Sequence, residues 1–236
     1  DLLSLFVASL TGIPGAHFFH SLAYVETFKN HSLFPKLLKK RRVFAVSRFL
    51  QQNVRQAFGI EAAPWYPIFD LGKYRVPRSP ERAVLGYYSA GPHKGDEIAN
   101  ILVEKSPGWK FLVVGRSYSH SFRAVPPNLI YQGDQPDTNR FYGAIGILLV
   151  PSLVEEGFPR VILEAAVNGI PVIASRLGGI PEALGRSGIL VDIDRVENPD
   201  IQALGRRYLN EVQSLINNED EYRRLSLQAS ARAEEY

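Results

Sequence analysis

The stretch Pro151–Glu182, PSLVEEGFPRVILEAAVNGIPVIASRLGGIPE, carries most of what this chain discloses, because it sets two carboxylates around a segment that is otherwise apolar. The apolar run 146–150 precedes it, and a second apolar run, 171–174, follows Asn168-Gly169, so the order reads strand, loop, helix, strand. Pro159 suits a first helical position and Gly169 the residue just past a helix end, which predicts a helix over 159–168. Its interior, Val161 to Val167, is apolar on every side except at Glu164. A carboxylate there costs free energy unless something hydrogen-bonds it. Glu156 lies in the loop ahead of the helix, where free backbone N–H groups and the positive end of the dipole favour anions such as phosphate. The layout predicts a sugar phosphate at the helix tip with one carboxylate on each side. A half-buried helix with a snorkelling glutamate is the bland alternative.

Working outward, short apolar runs alternate with helical segments. Strands are expected at 83–88, 111–114, 129–131, 147–150, 172–174 and 189–191, and helices near 96–105, 138–143, 159–168 and 181–184. Such alternation is the pattern of an α/β fold with a parallel, doubly wound sheet, whose ligands sit at the carboxyl ends of strands. Upstream, a helix over 2–10, strands over 13–20, 43–46 and 63–68, and a helix over 48–58 capped by Ser47 form a second, smaller set. Residues 67–70 read as the entry to a hinge and 75–82, with Pro77 and Pro80, as the linker. The expected division is 1–75, 76–205, and helices over 206–236 that pack on the lobes.

Composition narrows the class. The 236 residues are 45% hydrophobic and 22% charged, enough for one large core or two small ones. No apolar run approaches the roughly 18 residues that span a bilayer. The absence of cysteine removes disulfides and thiolate chemistry, and fits a cytoplasmic setting. A net charge of +3 and a pI of about 9.1 suit an anionic nucleotide or a lipid surface, and are too small to argue for nucleic acid. The run Leu33–Arg42 is basic with interleaved apolar residues, so Lys36–Arg42 is a candidate contact for an anionic membrane at its inner face; a solvated helix end is the alternative. There is no methionine, where ordinary usage gives roughly five. The chain is therefore expected to be a fragment or to have lost its methionines.

Glu156 and Glu164, with seven residues between them and Gly157-Phe158 after the first, resemble the E-x7-E signature of glycosyltransferase family 4, retaining enzymes of the GT-B fold. Gly169-Ile170-Pro171-Val172 and Gly178-Gly179-Ile180-Pro181-Glu182 are similar to the same family. The resemblance implies two Rossmann-like lobes, the first incomplete by about a hundred residues before Asp1, and a nucleoside-diphosphate sugar as donor with no metal and no separate cofactor. It implies that Glu156 contacts the donor sugar and Glu164 the ribose hydroxyls, with Phe158, Pro159, Arg160 and Val161 at the helix tip. Gln135, Asp137 and Arg140 fall where the family reads the base; a plain surface loop is the alternative. His20, at the end of its strand, matches the donor-facing histidine, or is a satisfied core residue, and His17 points to the opposite face.

Lys94, in the loop Ser89–Gly95 after the first strand of the second lobe, is placed to clamp the diphosphate; a solvated loop lysine is the alternative. Family members carry an arginine five or six residues earlier, where this chain has Tyr88 and Ser89, and an apolar residue between Gly95 and Asp96. His93 or Arg116 are the candidate replacements for that charge. Asp192-Ile193-Asp194 looks like a metal-binding D-x-D and is read as a turn. No second carboxylate stands at the spacing of a double-displacement glycosidase, so neither glutamate is read as a nucleophile. The expected activity is retaining transfer of a sugar to an unknown acceptor, in polysaccharide biosynthesis or a related pathway, with this fragment alone inactive. A GT-B-fold epimerase or phosphorylase, or a non-catalytic nucleotide-sugar-binding homologue, are the alternatives.

Overall fold

The computed structural model describes residues 15–67, 70–77, 81–120, 122, 124–194 and 199–236. The first lobe contains β1 (Ala16–Phe19), α1 (Leu22–Phe28), α2 (Phe34–Leu38), β2 (Arg42–Ala45), α3 (Arg48–Phe58) and β3 (Ala63–Pro64). The three strands are parallel, in the order β1-β2-β3. Ser47 caps α3 by accepting from the Leu50 amide, and Gly59 ends it at φ 63°. Leu50, Val54 and Phe58 form the buried stripe of α3 against Phe19, Phe34, Leu38 and Val43. Each such side chain contributes about 1.5–3 kcal/mol on burial.

Several expectations change here. β3 ends at Pro64 instead of running to Ile68, because Pro64 and Pro67 have no N–H to donate to a ladder. β1 begins at Ala16; residues 13–14, the helix expected over 2–10, and Ile68 itself lie outside the described residues. In the basic run, Phe34, Leu37 and Leu38 are buried in the lobe's own core, and Lys36, Lys39, Lys40 and Arg42 are exposed. Of the large apolar side chains in the run, Leu33 alone is exposed, so charge dominates what the run presents. No helix among the described residues is long and apolar enough to cross one.

The second lobe follows α4 (Leu71–Tyr74). It comprises β4 (Val84–Tyr88), α5 (Asp96–Lys105), β5 (Lys110–Val114), β6 (Leu129–Tyr131), α6 (Asn139–Ala144), β7 (Ile147–Val150), α7 (Arg160–Ala166), β8 (Val172–Ser175), α8 (Ile180–Leu184) and β9 (Gly188–Val191). α9 (Ile201–Asn217) and α10 (Glu219–Ala233) close the chain. The six strands are parallel in the order β6-β5-β4-β7-β8-β9. Successive residues of a strand face opposite sides, so Phe111, Val113, Ile147 and Leu149 join one core with α5 and α9, while Leu112, Val114, Leu148 and Val150 join the other with α6, α7 and α8. Tyr208 of α9, fully buried, bonds Ser175 Oγ at 2.8 Å.

Strand order reverses between β4 and β7, since the chain moves from β4 to one side through β5 and returns to the other through β7. The crevice beyond the carboxyl ends of these two strands is where open α/β sheets place their ligands. The loop after β4 carries Lys94, and the loop after β7 carries Glu156. α7 is two residues shorter than expected at its end and starts one later, because Pro159, at φ −73° and ψ 111°, flanks the helix instead of opening it.

Candidate donor-binding site

The two loops at the crevice are locked together by backbone. Residues Pro92–Lys94 make one turn of 3-10 helix, and Gly95 leaves it at φ 96°. A Cβ on Gly95 would stand 2.1 Å from the Pro151 carbonyl oxygen. The Leu153 amide donates to the His93 carbonyl at 2.9 Å. This brings Lys94 Nζ to 2.7 Å from Glu156 Oε2, with the two side chains 27% and 15% exposed. Glu156 is held from below by the Gly178-Gly179 turn: the Gly179 amide donates to the Glu156 carbonyl at 2.7 Å, and a Cβ on Gly179 would stand 2.0 Å from the Gly157 oxygen. Gly179→Ala should therefore force the Glu156 loop aside and lower stability by about 1–3 kcal/mol, read by urea denaturation.

Glu164 has the partner that its burial demands. It is 8% exposed, and Tyr142 donates to its Oε2 at 2.7 Å. Burial first, and the Glu164 carboxylate second, push the Tyr142 phenol well above its ordinary range. The other oxygen, Oε1, lies 3.6 Å from Arg160, whose guanidinium also donates to the Tyr74 hydroxyl at 3.1 Å. Glu164 sits one turn on from the helix start, so both glutamates address the same groove.

That groove is a chain of three adjoining cavities. One of about 480 Å³ is lined by Tyr74, Tyr88, Asp137, Thr138, Arg160 and Glu164, among others. The next, about 280 Å³, shares Tyr88, Arg160 and Val161 with it and adds Lys94, Glu156, Phe158 and Pro159. The third, about 600 Å³, shares Lys94, Glu156 and Phe158 with the second, adds His93, and reaches His20 and Glu26 across the lobe boundary. The structure thus brings together Glu156, Lys94, His20, Glu164, Asp137, Phe158, Pro159, Arg160 and Val161. Gln135 and Arg140 line none of the three; Gln135 Nε2 donates to the Gln132 carbonyl at 2.7 Å, and Arg140 is exposed. His20 is exposed, whereas burial lowers the pKa of His17 to about 4 among Phe19, Tyr24 and Phe34. Asp192 and Asp194 are engaged by Arg176 at 2.6 Å and Arg207 at 3.1 Å.

The two positions at which an arginine was expected differ sharply. Ser89 is fully buried and donates to Asp96 Oδ1 at 2.7 Å. Asp96, 1% exposed, also accepts from Tyr87 at 2.6 Å and from the Ser119 amide at 2.8 Å. This network of donors around one carboxylate fixes the start of α5 and so the Lys94 loop. Tyr88 instead faces the first two cavities. Arg116, the other candidate cation, is 82% exposed, pairs with Asp134 at 2.7 Å and lines none of the three cavities. Tyr88→Arg should accordingly tighten diphosphate binding several-fold, while Ser89→Arg should unfold the loop, at a cost of about 3 kcal/mol or more for a charge with no room. Calorimetric titration of the first variant and denaturation of the second check both. Tyr142, Tyr88 and Asp96 went unassigned in the sequence because a tyrosine in an apolar run, or an aspartate opening a helix, has no distinguishing spacing.

Residues 96–206 match the family described as glycosyl transferases group 1. The matched residues make up most of the second lobe. A D-inositol 3-phosphate glycosyltransferase of Mycobacterium marinum is 31% identical over 137 residues, which are 49% of this chain and 29% of that protein. Protein CapJ of Staphylococcus aureus is 29% identical over 108 residues, 44% of this chain and 26% of CapJ. The matches thus span under a third of the length of these curated relatives. Among solved structures, HepE of Anabaena, in complex with UDP and glucose, superposes with a TM-score of 0.80 over 99% of this chain and 70% of its own, at 21% identity. The two-lobed α/β architecture is therefore the GT-B fold.

Proposed function

We propose that this chain is the donor-binding part of a glycosyltransferase that moves a sugar from a nucleoside diphosphate to an acceptor, with retained anomeric configuration. The observation that carries this reading is the run of three cavities along α7, with a buried carboxylate at one end, a lysine in the middle and the lobe boundary at the other. Its order fits a nucleotide sugar laid end to end: base and ribose at Asp137 and Glu164, diphosphate at Lys94, sugar between Glu156 and His20. α7 is only about two turns long, so the full charge of Lys94 outweighs the helix dipole as an anion anchor. In the structure Lys94 is paired with Glu156. A diphosphate would draw Lys94 to itself and free Glu156 to accept from sugar hydroxyls. As the leaving oxygen gains charge, a fixed cation beside it stabilises the transition state more than the ground state. His20, at the far wall, can donate to the sugar or the leaving phosphate.

A uridine nucleotide is the first donor to test, because HepE was solved with UDP and glucose. Binding without turnover is the second reading, favoured by buried Ser89, which leaves Lys94 as the one Lys or Arg in its loop. Incubation of the intact protein with UDP-glucose separates the two: release of UDP, by transfer or slow hydrolysis, supports the enzyme, and binding with no release supports the other. No binding of any nucleotide sugar would remove both.

A further inference from the structure

The carboxylate of Glu182, on α8 of the second lobe, crosses to the first lobe and sits on the N-terminus of α3. It accepts from the Arg48 amide at 3.0 and 2.8 Å and from the Phe49 amide at 3.3 Å, and Tyr66 donates to its Oε1 at 2.7 Å. Ser47 already caps the Leu50 amide of that helix, so Glu182 takes the amides that Ser47 leaves over. The main chain of α8 is gripped in turn by Arg232 of α10, which donates to the Glu182 and Ala183 carbonyls. Tyr66, Phe158 and Tyr236 pack ring against ring beside it.

Three residues before Glu182, the Gly178-Gly179 turn supports Glu156, and Gly157 meets the first lobe so closely that a Cβ would stand 2.5 Å from the His20 carbonyl oxygen. One short segment, 178–182, therefore holds the Glu156 loop with its glycines and the first lobe with its carboxylate. We propose that Glu182 is a positioning residue: it clasps α3, and with it the strand end that carries His20, at a set distance from Glu156 and Lys94. The clasp touches none of the three cavities. It rests on the donor-site reading only for its effect on turnover, and not for its effect on lobe geometry.

The chain has no cysteine, so Asn30→Cys and Leu227→Cys, exposed positions in the first lobe and on α10, give a clean pair of spin labels across the seam. In the intact protein, Glu182→Ala should broaden and lengthen the label distance, leave affinity for UDP within about twofold, and lower turnover of UDP-glucose by on the order of tenfold or more, since misplacing reacting groups by about an ångström is enough for that. Glu182→Gln, which keeps an acceptor oxygen for Tyr66 and the amides, should restore most of both. Tyr66→Phe removes one donor and should shift both measurements in the same direction by less, and it carries the test if Glu182→Ala does not fold. An unchanged label distance in Glu182→Ala, or in Tyr66→Phe where that stands in, overturns the clasp. Failure of the wild type to bind UDP or to release it would instead strike the donor-site reading, with the distances still deciding the clasp.

Discussion

Under the proposed function, Lys94→Ala is expected to lower turnover of the nucleotide sugar by on the order of a hundredfold or more in the intact protein, as losing one preorganised charge-stabilising group commonly does. Lys94 is the only Lys or Arg in the loop after β4, Arg116 is paired with Asp134 outside the cavities, and Ser89 is buried. Among the described residues, Arg160 is the other Lys or Arg that lines the same cavity as Lys94. The Michaelis constant for the donor should change less, because the charge on the leaving oxygen grows toward the transition state. Arg160, already shared between Glu164 and Tyr74, is the nearest alternative. Steady-state kinetics with the donor varied settle the point: turnover within about threefold of wild type would take Lys94 out of the clamp.

The second large effect concerns Glu164. Its Oε2 is committed to Tyr142, and its Oε1 is left toward Arg160 and the cavity, where a ribose hydroxyl can donate to it. Glu164→Ala should weaken nucleoside diphosphate binding by about 1.5–3 kcal/mol, the scale of a hydrogen bond to a charged group. At about 1.4 kcal/mol per decade, that is roughly ten- to a hundredfold in affinity. The same change strands the buried Tyr142 hydroxyl, so stability should fall as well, and calorimetric titration must be made on protein shown to be folded. Unchanged nucleotide affinity in a folded variant would sink the ribose assignment.

Local signals account for the parts of the fold that were legible. α3 and α5 run over the residues expected of them, α3 because Ser47 and Gly59 punctuate it and α5 because Gly95 precedes a run with its own helical pattern. β6 and β7 likewise match, each being a short apolar run between turn residues. Residues that line the groove could be singled out where one loop or helix carries them, as with Glu156 and Glu164. What was missed consists of partners brought together by topology. Tyr142 is 22 residues from Glu164, and Glu182 is 134 from Arg48. Neither pairing leaves a trace in spacing. The same holds at Ser89, where nothing local reveals that its hydroxyl donates to Asp96.

A crystal structure of the protein with UDP, grown from conditions free of other phosphates, places the ligand outright. The expected result has the ribose hydroxyls on Glu164 and the diphosphate on Lys94, with the Lys94–Glu156 pair broken. UDP bound elsewhere, for example in the acidic cavity of about 510 Å³ lined by Glu97, Glu104 and Asp200, with Lys94 still paired to Glu156, would contradict it.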